Sequence, residues 1–77
     1  MALYKAGDIF KNTFGEESVK MTIIFVPSLD GYGVQYYLVE VFSIYANGGE
    51  KCFYDLAKEY DITKRFIKKG NLNEQTK

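Results

Sequence analysis

The chain contains no histidine, the side chain that most often serves as a catalytic base near neutral pH. Nucleophilic sites of the serine–histidine and cysteine–histidine kinds are therefore excluded. The only cysteine, Cys52, is followed by Phe53 and Tyr54 at the boundary of a predicted element, which favours a packing role over a reactive thiol. We expect a protein that is not an enzyme, and a carboxylate-dependent activity is the one enzymatic alternative.

The sequence patterns that are typical of metal sites and phosphate sites are also absent. One cysteine without histidine cannot form a closed zinc shell, and the acidic residues do not show the spacing of a calcium loop. The glycines match neither a phosphate-binding loop nor a dinucleotide-binding turn, since residues 31–33 contain Gly-x-Gly only. The sequence therefore predicts neither a metal nor a cofactor.

Tyrosines and acidic residues are the candidate contacts with a protein partner. Tyr32, between two glycines at a loop tip, is a candidate exposed contact, and tyrosine is enriched at recognition surfaces. The candidate partner-binding residues are Tyr32, Tyr37, Glu16, Glu17 and Asp30. The acidic residues of this set, together with Asp8 and Glu40, would engage a basic surface on a target.

A basic cluster near the C-terminus is the candidate contact with a polyanion. It comprises Lys64, Arg65, Lys68 and Lys69, with Phe66 among them. On a helix the four bases would line one side, which is also the pattern of an ordinary solvated face or of a site for an acidic protein. Formal net charge is zero, which argues against a dedicated nucleic-acid-binding domain.

The first 45 residues predict β-strands. Residues 4–11 predict a short first strand, residues 12–17 a turn, and residues 19–26 a half-buried strand with alternating apolar side chains. Residues 27–33 predict a loop. The strand that follows, residues 34–45, is apolar on both faces, so it is central in its sheet or leaves one face for a partner.

The last third of the chain has two interpretations. Beyond the turn at residues 47–49, Phe53, Leu56, Ala57 and Tyr60 share the spacing of one helical face, and a second helical piece would be capped by Asp61 and stop at residues 68–70. The alternative is a strand over residues 50–55, a helical turn over 56–61 and a strand over 62–69. That order, together with residues 7–10, resembles small SH3-like barrels.

The predicted fold class is α+β: a small antiparallel β-meander of three to five strands, possibly SH3-like, with C-terminal helical structure. Residues 1–70 would form one domain and residues 71–77 a flexible tail. A domain of 77 residues has a thin core, for which seven tyrosines and six phenylalanines compensate. One cysteine, no signal-peptide pattern and no long apolar stretch indicate a cytoplasmic protein.

The leading functional hypothesis is a small protein-interaction module without enzymatic activity. The apolar strand at 34–45 would be covered by a second copy, giving a homodimer, or by another protein. The sequence looks like the short accessory proteins of bacteriophages and mobile elements, which implies a stoichiometric inhibitor of a host or defence protein, as anti-CRISPR proteins are. The alternative is a small SH3-like nucleic-acid-binding domain in which Tyr32, Tyr36 or Tyr37 stacks on bases and the basic cluster from Lys64 to Lys69 holds phosphates.

Overall fold

Five strands and one short helix make up the fold in the computed structural model, which describes residues 2–13 and 18–74. The segments predicted as the second and third strands, residues 19–26 and 34–45, form strands close to their expected bounds. In chain order the elements are β1 Asp8–Asn12, β2 Ser18–Phe25, β3 Tyr36–Ile44, β4 Glu50–Lys58, α1 Glu59–Arg65 and β5 Phe66–Asn71, followed by a 3₁₀ turn at Leu72–Glu74.

All neighbouring strands pair antiparallel in one sheet, in the order β4-β3-β2-β1-β5. The predicted small antiparallel sheet is therefore confirmed, with five strands and a single short helix between β4 and β5. In the described ranges, β4 and β5 are the two edges of this sheet. No helix within these ranges is long and apolar enough to cross a membrane.

The helix predicted from residue 50 onward was wrong, because residues 50–58 form β4. This strand pairs with β3 along its whole length, from Tyr36–Lys58 to Ile44–Glu50. The tight turn at residues 45–49 sets this register, since Tyr45 N donates to Gly49 O at 2.7 Å and Gly48 takes a φ of +90°. Cross-strand pairing thus outweighs the helical spacing of the apolar residues. The strand–helix–strand alternative has the correct element order.

Helix α1 differs in detail from both interpretations. It begins at Glu59, its N-cap residue Lys58 makes no side-chain cap, and Asp61 lies in the first turn. It ends before the predicted stop, since Phe66 is already extended. Its buried residue is Ile62, which joins the core and so fixes the helix against one face of the sheet.

The core lies between this helix, the N-terminal segment and one face of the sheet. Tyr4 packs edge-on against Phe10, with ring centroids 4.9 Å apart, and so closes the core from the N-terminal side. Two of the thirteen aromatic side chains, Phe10 and Tyr37, are thus buried in the core, whereas at least five others are exposed. The buried apolar side chains are Phe10, Met21, Ile23, Tyr37, Val39 and Ile62.

The beginning of the predicted tail belongs to this fold. Asn71 is a buried residue of β5, and its Nδ2 donates to Asp8 Oδ1 at 2.8 Å. Leu72 N donates to Gly7 O at 2.9 Å. Gly7 has a φ of +94°, and a Cβ there would lie 2.9 Å from the Asn71 side chain. The chain therefore continues in the fold through residue 74, and residues 75–77 lie outside the described ranges.

Candidate interaction surface

The two faces of β3 have different surroundings. Residues directly opposite each other on paired strands share a face of the sheet. Val39 lies opposite Ile23 and is buried in the core, whereas Leu38 lies opposite Phe25 on the other side. The expectation that this strand is apolar on both faces therefore holds, and the core covers only one of them.

We call the side of the sheet opposite the core the outer face. One row across it joins Phe25, Leu38 and Leu56, and the next rows contain Tyr54 and Phe42. Phe25 and Leu56 are each 59% exposed and Tyr54 is 64% exposed. Helix α1 cannot shield them, because its buried residue Ile62 packs into the core on the opposite side. The outer face is thus an exposed apolar surface on three adjacent strands.

A pocket of about 250 Å³ opens on this face. Within it, Cys52 Sγ lies 3.7 Å from Glu40 Oε2. Partial desolvation and the nearby carboxylate raise the pKa of the Cys52 thiol, which disfavours the nucleophilic thiolate. The described residues contain no group of three potential metal ligands. The pocket is lined by Lys20, Thr22, Glu40, Phe42 and Cys52.

Tyr37 was predicted to contact a partner, and this was wrong because its side chain is fully buried. Its hydroxyl donates to Glu59 Oε2 at 2.5 Å and accepts from the backbone N–H groups of Leu3 and Tyr4, each at 3.1 Å. Burial and the Glu59 carboxylate raise the pKa of Tyr37 to about 12. Tyr37 therefore ties the N-terminal segment and α1 to the core.

The loop between β2 and β3 presents Tyr32, which is 94% exposed and stays a predicted contact residue. Asp30 has an internal role, because its Oδ1 accepts from Tyr32 N at 2.8 Å and from Val34 N at 2.9 Å. These bonds shape the loop tip. The other predicted acids, Glu16 and Glu17, lie outside the described residues.

Among the acidic residues proposed to face a basic target, Asp8 is buried in the fold. Burial raises the pKa of Asp8, but hydrogen bonds from Asn71, Lys5 N–H and Lys68 outweigh it, so the net shift is downward. Glu40 lies on the outer face and Asp30 in a loop. The structure therefore does not gather Asp8, Asp30 and Glu40 into one acidic surface.

The basic cluster is divided between two elements. Lys64 and Arg65 end α1, whereas Lys68 and Lys69 lie in β5, so the predicted single helical side was wrong. Lys68 Nζ is 3.3 Å from Asp8 Oδ1, and Lys64 Nζ lies 5.6 Å from the centre of the Tyr60 ring. At least two of the four bases thus have partners within the chain.

Comparison with protein-family models, with curated proteins and with solved structures found no match. Function must therefore be inferred from the residues of this chain. Sequence reasoning missed the outer-face residues Tyr54 and Leu56, because it favoured a helix over them. Once residues 50–58 are taken as a strand, the alternation Cys52, Tyr54, Leu56 identifies that face.

Proposed function

We propose that this protein is a small interaction module without enzymatic activity that binds a protein partner through the outer face of its sheet. The observation that carries the proposal is the exposure of Phe25, Tyr54 and Leu56 on one side of three adjacent strands. Clustered exposed apolar side chains mark interaction sites more often than ordinary surface.

The chemistry of this surface fits a protein better than a small molecule. Its centre is aromatic and aliphatic, as in the core of protein interfaces. Lys20 and Glu40 supply one charge of each sign beside it, which suits the mixed polar rim of such an interface. The partner would bury the apolar centre and pair with these charges.

Two matched leucine substitutions test the proposal. Leu56 lies on the outer face and Leu72 in the 3₁₀ turn, and they are 59% and 51% exposed. Leu56→Glu introduces a charge into the exposed apolar row of Phe25, Leu38 and Leu56 and should abolish retention of the partner from a lysate of the source organism. Leu72→Glu should retain it, with both variants folded by circular dichroism. Equal retention by the two variants would show that the outer face is not the binding site.

The inhibitor hypothesis is compatible with the same surface. A stoichiometric inhibitor of a host or defence protein would act through the apolar outer face, since the buried Asp8 is not available to a basic target. In an inhibition assay, Leu56→Glu would then lose potency while a neutralised loop acid, Asp30→Asn, would lose less.

A second candidate function is nucleic-acid binding by an SH3-like domain. The position of α1 between β4 and β5 supports that fold type. A row across the outer face joins Lys11, Lys20 and Phe42, which places two bases beside an aromatic ring. Labelled single-stranded DNA measured by fluorescence anisotropy should then bind more weakly to Lys20→Ala than to Lys51→Ala, whose residue lies on the opposite face, with a steep salt dependence.

A further inference from the structure

The free edge of β4 offers regularly spaced backbone hydrogen-bonding groups. Just beyond its two ends, Glu59 N donates to Gln35 O and Tyr45 N donates to Gly49 O, so the pairs Gln35–Glu59 and Tyr45–Gly49 are hydrogen-bonded. Hydrogen-bonded pairs alternate along an antiparallel ladder, and the register between these ends has no shift. The odd-numbered residues of β4 therefore bond to β3, and the even-numbered residues direct N–H and C=O outward.

An independent contact agrees with this assignment. The outward N–H of Leu56 makes no bond to β3 and donates instead to the side-chain oxygen Asp55 Oδ1 at 2.8 Å. The first seven residues of β4 are exposed, and among the described residues only β3 pairs with this strand. β4 is thus a nine-residue edge that is open to another strand.

The opposite edge of the sheet is protected in a way that β4 is not. β5 has six residues, and its middle consists of Lys68 and Lys69 followed by Gly70. Lysines on an edge discourage pairing with another chain, and glycine weakens a strand. β4 also contains two lysines, but Lys51 and Lys58 lie near its ends, and between them the aromatic residues Phe53 and Tyr54 favour a paired strand.

Two of the four charged residues of β4 lie symmetrically about Phe53. Lys51 lies two residues before it and Asp55 two residues after it, and all three side chains are on the core side of the sheet. In an antiparallel pair centred on Phe53, Lys51 of each copy lies opposite Asp55 of the other copy. Opposite charges placed directly across two strands stabilise the pair. A second copy of this chain is therefore electrostatically complementary to the edge.

We propose that β4 pairs with β4 of a second copy about a two-fold axis at Phe53, which joins two five-stranded sheets into one. In this register the outward groups of Glu50, Cys52, Tyr54 and Leu56 form about eight hydrogen bonds. Leu56 N–H exchanges its contact with Asp55 for the Glu50 carbonyl of the other copy. Asp55 is then released to bind the opposing Lys51.

The dimer would also join the outer faces of the two copies. A two-fold axis perpendicular to the sheet keeps both outer faces on the same side, and Cys52 of each copy lies opposite Tyr54 of the other. The apolar surface is then continuous across the boundary. This inference rests on the proposed function and deepens it by naming one partner of the module as a second copy.

Charge reversal tests the pairing. The full chain should be dimeric by size-exclusion chromatography with light scattering as its concentration rises from low micromolar to near millimolar. Lys51→Glu and Asp55→Lys each place like charges opposite one another, and each should raise the dimer dissociation constant at least about tenfold. An equimolar mixture of the two variants restores opposite charges at both positions and should form a heterodimer with near-original affinity.

Lys58→Glu is the matched control, because it makes the same charge change on the same strand but faces no charged residue in the proposed register. It should stay dimeric. A monomeric parent chain, a Lys51→Glu variant as dimeric as the parent, or a mixture that stays monomeric would each overturn the proposal. If the parent chain is monomeric while Leu56→Glu still loses partner retention, the dimer is wrong and the outer-face function stands.

Discussion

Ile23 and Ile24 are adjacent residues of one type with opposite surroundings. Ile23 is 1% exposed and lies opposite Val39 in the core, whereas Ile24 is 43% exposed at the irregularity between β2 and β3. The comparison shows that the two faces of this small sheet contribute differently to stability. Its core face provides stability, and its outer face can change with little loss of fold.

The largest expected difference between the two faces comes from truncating these isoleucines. Ile23→Ala leaves a cavity in a filled core and should lower the free energy of unfolding by about 2–5 kcal/mol. Ile24→Ala removes a side chain that is already partly in water and should cost less than about 1 kcal/mol. Urea denaturation of both variants measures the difference. Equal losses would contradict the division into two faces.

The neighbouring tyrosines of β3 give a second comparison. Tyr37→Phe removes the buried hydroxyl that donates to Glu59 and accepts from Tyr4 N–H, while Leu3 N–H keeps its bond to Glu59 Oε2, and should lower the free energy of unfolding by about 1–3 kcal/mol. Tyr36→Phe, on the outer face, should cost less than about 0.5 kcal/mol. Thermal unfolding followed by circular dichroism distinguishes them, and a larger loss for Tyr36→Phe would reverse the assignment of faces.

Alkaline pH should act on the same hydroxyl. The folded pKa of Tyr37 is raised to about 12, above the usual value of 10.0. The contribution of Tyr37 to the free energy of unfolding is therefore complete below pH 10.0 and is lost as pH rises towards 12. Stability of the parent chain should therefore fall more steeply in this range than that of Tyr37→Phe. Urea midpoints measured at several alkaline pH values provide the test, and parallel curves would count against it.

A smaller effect is expected at acid pH from Asp8. The pKa of Asp8 in the folded chain lies below its unfolded value. Its contribution to the free energy of unfolding is therefore present above the unfolded pKa and is lost as pH falls through the folded pKa. Asp8→Asn should be less stable at neutral pH by about 1 kcal/mol and should show a flatter profile between about pH 5 and pH 2. Titration of the Asp8 carboxyl by NMR would verify the downward shift directly.

The smallest effect is expected from the partly exposed partner of Asp8. The Lys68 side chain is 44% exposed, so solvent screens its attraction to the carboxylate. Lys68→Met should lower the free energy of unfolding by at most about 1 kcal/mol, with Lys69→Met as the neighbouring control. High salt should reduce the difference between the two variants. A larger loss would mean that Asp8 depends on Lys68 more than on Asn71.

Sequence patterns predicted the parts of the fold in which one side of a strand is buried. The apolar alternation of β2 predicts the strand correctly because Met21 and Ile23 fill the core face, although the irregularity after Ile23 places Phe25 on the outer face. β4 is exposed on both sides, so its apolar residues carry no period-two signal and their chance helical spacing misled the prediction. Only pairing with β3, a long-range effect, makes it a strand.

The site was harder to predict than the fold. A strand with apolar residues on both faces does not reveal which face is covered, so Tyr37 was assigned to a partner although it lies in the core. Its neighbour Leu38 is the residue on the open side. The choice depends on where α1 and the N-terminal segment pack, and neither has a strong local signal.

The contact between Asp8 and Asn71 joins residues 63 positions apart in the chain. β1 cannot gain its second neighbour until β5 has formed, whereas β2, β3 and β4 need only short loops to pair. Folding should therefore start in the meander of β1 to β4, whose strands are neighbours both in sequence and in the sheet, and finish with the slow pairing of β1 with β5. During synthesis, the edge of β1 that pairs with β5 would stay unpaired until almost the whole described chain has left the ribosome. In that interval this edge would be open to chaperones.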